Sequence, residues 1–398
     1  MVQDTRALNR GAVLAEVLRS RPVSRKLVAS RTGISAATVT RAVDSLIAEG
    51  ILREGDELVV ESRGRRAVPL DLVADRSYVA GIDLGASNMR YIVSDLLANP
   101  IAAGEIVTPR DLGATQLAHW VAEELRRLRA DAWPPITEVS LGLPGAVSAT
   151  GDMVSNAPNL EVVEDPEFLS SLVGALGVDV QIDNDANFAL LGEQRFGAAR
   201  NMPMAGMLTL GAGLGAGLSI NGQILRGKHG LVGEFGQLPV GPLGTRLEHL
   251  VTGPGIMRRA AEAGVVFATP ADLFTDDAVG SVAALRTHFD HALLIVLTAI
   301  AVSSEPEVIV LGGGISNSLL GSLSRYEDSL RQNLRVAPRL TLAELGDYSG
   351  AAGAIVSSLQ AVYSKLGVDA LALADLPAAH SLNAQTIAAV HNSPAVPR

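Results

Sequence analysis

Carboxylates, amides and glycines recur together at a few places in this 398-residue chain, and their spacing suggests handling of hydroxyls and phosphates. Asp83-Leu84-Gly85-Ala86-Ser87 lies between two β-prone runs, Tyr78 to Asp83 and Met89 to Val93. A glycine at such a hairpin tip lets backbone approach an anion. Ser87 adds a hydroxyl, and Asp83 can hold a hydrated Mg²⁺. The run Gly211-Ala-Gly213-Leu-Gly215-Ala-Gly217 follows the apolar Met207 to Leu210. Its alternate glycines are not a dinucleotide fingerprint, because no helix opens after them; they fit a second strand–turn–strand clasp. Val308 to Leu311 runs into Gly312-Gly313-Gly314, a buried strand ending in a turn suited to a flat base. Each of these alone is more simply a plain glycine turn. Three in order, about 100 residues apart, imply two similar lobes with a nucleotide-sized cleft between them.

Asp185, in Gln181-Ile-Asp-Asn184-Asp185-Ala-Asn187, follows a β run and precedes a helix expected over 188–193. A carboxylate at such a strand end can take a proton from a substrate hydroxyl in phosphoryl transfer. An Asx turn or helix cap explains the residue types equally well. Residues 233–250, GEFGQLPVGPLGTRLEHL, place Glu234 and Glu248 on either side of a Gly/Pro-rich segment with Gln237 between them and no cysteine.

Bulk composition narrows what can position these groups. The length suggests two to three domains, and 48% hydrophobic residues supply ample core. The absence of cysteine excludes disulfides, thiol catalysis and Cys-ligated zinc. The opening MVQDTRALNR lacks the charged-then-apolar order of a secretory signal. The most apolar stretches, around 292–303 and 306–315, read as too short to span a bilayer. A cytoplasmic protein with no membrane partner is expected. Residues 1–75 carry 12 Lys+Arg and 10 Asp+Glu, leaving 20 and 32 for the remainder; a net +2 head sits on a net −12 body.

The head reads as three helices and a wing. Leu8, Val13, Leu14, Val17 and Leu18 stand near helical spacing. Ser24 caps a second helix, 25–31, with Leu27 and Val28 inward, and Gly33 breaks it. Ser35 caps a third, 36–49, with Val39, Val43, Leu46 and Ile47 inward, ended by Gly50. A wing hairpin over 51–53 and 57–61 leads into Ser62-Arg63-Gly64-Arg65-Arg66. In a helix-turn-helix the third helix enters the major groove. Ser35, Ala37, Thr38, Thr40 and Arg41 are its exposed candidates, and Arg63, Arg65 and Arg66 suit the minor groove. A three-helix protein-contact module is the alternative.

Head and body together resemble the ROK family, bacterial sugar kinases and sugar-responsive regulators of the actin-like ATPase fold. The resemblance rests on GIDLGASNMR, LGLPGAVSATGDMVSNAPNL, DNDANFALLGE, TLGAGLGAGLSINGQILRGKHGLVGEFG and PEVIVLGGGIS. It implies an α/β, ribonuclease H-like two-lobe body (76–195 and 196–366) behind a winged helix-turn-helix (1–75). The last helix, 351–363, can pack back on the first lobe, and a tail, 367–398, is expected to be partly disordered beyond about 385. It also implies that Asn159, Asn184, Asp185, Glu234, Gln237 and Glu248 face a sugar, with Asp185 the base if the chain is a kinase. Asp83, Gly85, Ser87, Gly211, Gly213, Gly215, Gly312 and Gly313 would face a nucleotide. Departures accompany these matches: Ala86 stands where kinases have Gly, and Gln237 where they have His. The cysteine-bearing zinc loop before Glu248 is missing. The expectation is a regulator, most simply a repressor, that binds operator DNA and a sugar or sugar phosphate as a homodimer or dimer of dimers. No cofactor and no structural zinc are required, and Mg-ATP enters only if kinase activity survives. His229 and His249 are expected to be loop histidines. An ATP-dependent sugar kinase with a fused head is the alternative.

Overall fold

The computed structural model describes residues 5–55, 68–128, 133–240, 244–275, 279–377 and 381–391. Two five-stranded sheets organise the body among these residues. In the first, the order is Asp179–Asn184, Ile136–Leu143, Tyr78–Leu84, Asn88–Ser94, Pro100–Val107. In the second it is Arg339–Leu342, Val308–Gly312, Ala205–Leu210, Leu214–Ile220, Gln223–Ile224. Both sheets follow one rule. The first three strands in chain order form an antiparallel meander, and the fourth and fifth join parallel on the other side. Parallel neighbours need crossovers, which helices such as Ala114–Leu128, Pro166–Leu176 and Gly280–Ser304 supply. This is the α/β two-lobe fold expected from the sequence.

The lobes are joined by two helices packed on each other, Asp185–Phe196 and Ser349–Lys365. Glycine makes their approach close. A Cβ on Gly353 would stand 1.8 Å from the Phe188 carbonyl oxygen, and one on Gly192 would stand 2.4 Å from that of Ser349. Ser349–Lys365 also lies against the Tyr78–Leu84 and Ile136–Leu143 strands of the first sheet. Glu193 is fully buried between these elements, accepting from the Ala198, Glu344 and Leu345 amides and the Ser349 hydroxyl. A buried carboxylate satisfied by four donors fixes one packing of the joint.

The head contains helices Thr5–Ser20, Arg25–Thr32 and Ala36–Ala48. The Ser24 and Ser35 hydroxyls cap the second and third, accepting from the Leu27 and Thr38 amides. Gly33 adopts φ +71°, as the sharp turn requires. Val13, Leu14, Val17, Leu18, Val28, Val39, Val43 and Leu46 are buried, but Leu8 and Leu27 are exposed and Ile47 is only partly covered. Helical spacing identified the stripe but not its edges. The wing also differs. Its first strand is Leu52–Glu54, and the strand paired with it is Pro69–Leu72, which in turn pairs with Val23–Ser24. The expected return strand over 57–61 lies outside the described residues.

Two further expectations are corrected. The apolar helix is not a short segment near 292–303 but a 25-residue element, Gly280–Ser304, long and apolar enough to cross a membrane. Here Phe289, Leu293, Val296, Leu297 and Ile300 pack it into the second-lobe core. In the tail, expected to be partly disordered beyond about 385, the described residues run to 391. Helix Ala384–His391 packs on strand Pro100–Val107, with Leu382 and Ile387 buried. Apolar residues spaced through the Ala-rich segment find the head and first lobe to cover them.

Candidate functional site

A cleft of about 950 Å³ lies between the lobes. Asp83, Gly85, Ser87, Asn159, Asn184, Asp185, Gly211, Gly213, Gly215, Glu234, Gln237, Glu248 and Gly313 all line it. Gly312 lies one residue outside the lining. The head residues Ser35, Ala37, Thr38, Thr40 and Arg41 are elsewhere, on the third head helix.

The first-lobe hairpin presents Asp83 and its turn as the strand pattern requires. The Gly85 amide donates to the Asn88 carbonyl, and Thr108 staples the turn by donating from its amide to the Ser87 carbonyl and from its hydroxyl to the Gly85 carbonyl. Helix Ser349–Lys365 begins directly over Asp83: a Cβ on Gly350 would stand 2.8 Å from its carboxyl carbon. Burial pushes the Asp83 pKa up to about 7, with the Asp185 charge adding to it.

Asp185 is the first residue of its helix, which starts earlier than the 188–193 expected. Asn184 is the cap. Its side-chain oxygen accepts from the Ala186 and Asn187 amides, and its Nδ2 donates to the Gly145 carbonyl. Both ends of that amide are thus committed to holding the helix start, which makes Asn184 a positioning residue in this arrangement. Asp183 beneath it accepts from Asn187 Nδ2 and pairs with Arg226 of the second lobe at 2.7 Å. Burial raises the Asp185 pKa to about 6 against the opposing backbone hydrogen bonds of the helix N-terminus.

The second hairpin sorts its glycines by task. Gly211 and Gly213 form the tip. A Cβ on Gly213 would stand 3.1 Å from Asn159 Nδ2 and 3.4 Å from Glu248 Oε1, so this glycine holds open the space between an amide and a carboxylate from opposite lobes. Gly215 and Gly217 serve packing. Their missing side chains admit Ala186 of the helix, whose Cβ and carbonyl oxygen lie 3.1 and 2.6 Å from the respective Cβ positions. A Cβ on Gly313, at φ +83°, would stand 2.4 Å from the Leu210 carbonyl oxygen, so this glycine is needed for backbone packing as well as for any base.

Glu234 lies in the Gly/Pro-rich segment, and burial with the Asp185 and Glu248 charges raises its pKa to about 7. Beyond it, Pro239–Val240 pairs antiparallel with Thr245–Arg246, and the Leu247 amide donates to the Leu238 carbonyl, which brings the chain back to Glu248. Gln237 Oε1 accepts from Arg246 Nη1 at 2.6 Å, which leaves its Nε2 for a ligand. The donors on this hairpin do not fit a Cys/His zinc site. His229 and His249 are exposed, His249 in the short helix Glu248–Val251 rather than in a loop, and no group of three or more His, Asp or Glu among the described residues is arranged to hold a metal.

Sequence reasoning missed Arg90, Asn156 and Asp347, which also line the cleft. Asn156 takes φ +57°, a conformation Asn tolerates and which marks many binding loops. Among the described residues Arg90 is the only cation in the lining, which also holds Asp83, Asp185, Glu234, Glu248 and Asp347. Its guanidinium is already held by Glu105 at 2.9 Å and Asp347 at 3.7 Å. The register Asp83↔Arg90 across the first hairpin was the available signal.

On the head, Ser35, Ala37, Thr40 and Arg41 are exposed. The Thr38 hydroxyl accepts from Ser35 Oγ at 3.0 Å and from Arg41 Nη2 at 3.4 Å, and Thr40 Oγ1 donates to the Ala36 carbonyl. Arg63, Arg65 and Arg66 fall outside the described residues.

Comparison with known proteins follows the same outline. The ROK family model matches residues 79–360. The bifunctional enzyme NanE/NanK of Brucella suis is 33% identical over 267 residues, 65% of this chain and 48% of that protein. A putative xylose repressor of Caldicellulosiruptor is 30% identical over 244 residues, 58% of this chain and 59% of its own length. The chain therefore spans about half to three-fifths of the relatives it matches. A solved ROK family transcriptional regulator, described as a homologue of the E. coli MLC protein, superposes with TM-score 0.73 at 21% identity. It covers 93% of this chain and 99% of its own, so the likeness of fold extends over head and body alike.

Proposed function

The chain belongs to the ROK family, and from that premise we propose that it is a cytoplasmic, sugar-responsive transcriptional regulator of repressor type. The head binds operator DNA and the cleft binds the effector. One juxtaposition carries the reading: a capped helix-turn-helix with an open third-helix face is joined to a cleft where Asn159, Asp185, Glu234 and Glu248 converge. Converging carboxylates and amides suit the hydroxyls of a sugar, since each oxygen accepts from one hydroxyl and each amide donates to another. The excess of carboxylates over Arg90 favours an uncharged sugar over a sugar phosphate. As a homodimer or dimer of dimers, the protein would place two heads on half-sites a helical turn or more apart, ~34 Å per turn. The hairpin in place of a cysteine-bearing loop supports a protein that needs no structural zinc.

The test combines two titrations. Thermal shift with a panel of sugars and their phosphates identifies what the cleft takes, because a ligand of the folded state raises its melting temperature. Fluorescence anisotropy with duplexes from the adjoining gene region then measures DNA affinity with and without that sugar. Release of DNA by a sugar supports the reading, and absence of duplex binding at physiological salt refutes it.

One observation favours a second reading, an ATP-dependent sugar kinase. Asp185 sits at the cleft with a pKa near neutrality, as a general base requires. Asp83 and Asp185 are the carboxylates that would meet Mg²⁺ when Mg-ATP is bound. Turnover of a sugar with Mg-ATP, abolished by Asp185→Asn, would establish it.

A further inference from the structure

Two helices begin at the cleft; one ends against the head and the other against the segment packed on it. Asp185–Phe196 starts with Asp185 in the lining and, ten residues and ~15 Å later, carries Arg195 in its last turn. Ser349–Lys365 starts with Ser349 and Gly350 in the lining, over Asp83. Just past its end, Leu366 accepts a hydrogen bond from Arg10 Nη1 of the first head helix at 3.1 Å. The Gly367 carbonyl oxygen sits 1.9 Å from where a Cβ on Gly11 would be, so head and body backbones touch there. Through the glycine contacts and Glu193 the two helices form one packed body.

The segment after Gly367 closes the circuit. Arg195 Nη2 donates to the Ala374 carbonyl. The Ala372 carbonyl accepts from Arg19 Nη2 of the first head helix at 3.1 Å, and Arg19 also lies 3.8 Å from Asp375. Gln360 Nε2, on the second cleft helix, donates to the Leu373 and Leu376 carbonyls at 3.0 Å each. Leu376, Leu382 and Ile387 share one core cluster with Val13, Val17 and Leu18 of the head and Ile355, Leu359 and Tyr363 of the cleft helix. Arg195 is partly buried at this junction, its Nε without a partner. A partly buried guanidinium with an orphaned donor is costly to hold.

We propose that residues 366–377 and 381–391 form a coupling strap: displacement of the Asp185 helix at the cleft is passed through Arg195 to the strap and so to the first head helix. This rests on the reading of the head as the DNA-contacting module and names the route by which the cleft would govern it. A packed body with contacts at both ends carries coupling only if a change at one end is felt at the other, so the test is a double-mutant cycle.

Gly215→Ala is the perturbation at the cleft end, because its methyl must move Ala186 of the helix and the Thr209 hydroxyl. Gly217→Ala, which presses the Ala186 carbonyl, is the second. Arg195→Met cuts the proposed link while keeping its bulk. Hydrogen exchange of the full chain is read at Thr5–Ser20 and Ala370–Leu373. Exchange there is expected to change at least about fivefold with either glycine substitution, and by less than about twofold when Arg195→Met is also present. The proposal is overturned if neither glycine variant alters exchange in the head. An equal response with and without Arg195 overturns it as well. Since exchange is read without DNA or sugar, failure of the regulator reading is separately visible as a head that binds no duplex while the coupling persists.

Discussion

The cleft holds carboxylates at the expense of stability, and Asp83 allows the size of that penalty to be measured. Its side chain has no hydrogen-bond donor among the described residues, it lies beneath the start of the Ser349–Lys365 helix, and its pKa rises from 3.8 to about 7. A carboxylate whose folded pKa lies above its unfolded value favours folding while protonated. That advantage is complete below 3.8 and is lost as pH rises through 7. Relative to a neutral isostere, the ionisable group therefore costs most at alkaline pH. At full weight the cost is about 1.6 kcal/mol at pH 5 and about 4 kcal/mol at pH 8. Asp83 is partly exposed to an open cleft, so water screens the charge and about half of each value is expected.

Asp83→Asn keeps the shape and removes the charge. Urea unfolding of both proteins should show the variant more stable, by ~1 kcal/mol near pH 5 and ~2 kcal/mol near pH 8. Asp185 and Glu234 titrate in both proteins, so most of their contribution cancels in the difference. The growth of the gain with pH is the diagnostic part. A gain that does not change between the two pH values, or a variant less stable than the parent at pH 8, would refute the account of Asp83 as an uncompensated buried charge.

Three other outcomes follow from named contacts. Gly213→Ala places a methyl between Asn159 and Glu248, and should reduce the thermal shift given by the best sugar while leaving the ligand-free melting temperature within about 2 °C; an unchanged sugar titration would remove Gly213 from the pocket. Arg41→Ala should weaken operator binding by about tenfold or more at physiological salt, with the body's unfolding midpoint unchanged, as expected for one lost base or phosphate contact; retained affinity in a titration would move the DNA face off the third helix. Glu193→Ala strands four donors at the helix joint and should cost roughly 3–5 kcal/mol in urea; a loss below ~1 kcal/mol would mean that water replaces the carboxylate there.

Much of the fold was legible because its punctuation is local. Ser24, Ser35 and Gly33 mark the head helices by capping and by a positive φ, both decided within a few residues. The two hairpins that carry Asp83 and Gly213 were equally visible, each a pair of β runs about a glycine turn. What escaped depends on partners far along the chain. Leu27 and Leu8 have the right period and face solvent, because helix spacing gives a face and only the neighbouring elements say how wide the covered stripe is. The strand Pro69–Leu72 pairs with Leu52–Glu54 and also with Val23–Ser24, a three-way arrangement no adjacent pair of runs announces. The helix near the end of the tail was not foreseen because its apolar residues have nothing to pack on until the head and first lobe are in place.

The glycines show why a motif can be recognised before its working parts are known. Gly211 to Gly217 alternate in sequence, and alternation suggested a single clasp. In space their tasks divide, because Gly211 and Gly213 lie in the turn, whereas Gly215 and Gly217 share one face of the strand that follows it. Gly213 meets Asn159 and Glu248 at the cleft, whereas Gly215 and Gly217 meet the first turn of the Asp185 helix. The same few residues therefore shape the ligand space and seat the helix that runs from it toward the head. A methyl at 213 is expected to act on binding, and one at 215 or 217 on the position of the helix. Variants two residues apart can thus separate occupancy of the cleft from its transmission. If Gly213→Ala disturbs hydrogen exchange in Thr5–Ser20 as strongly as Gly215→Ala does without any sugar present, that division of labour is wrong, and the strand moves as one piece.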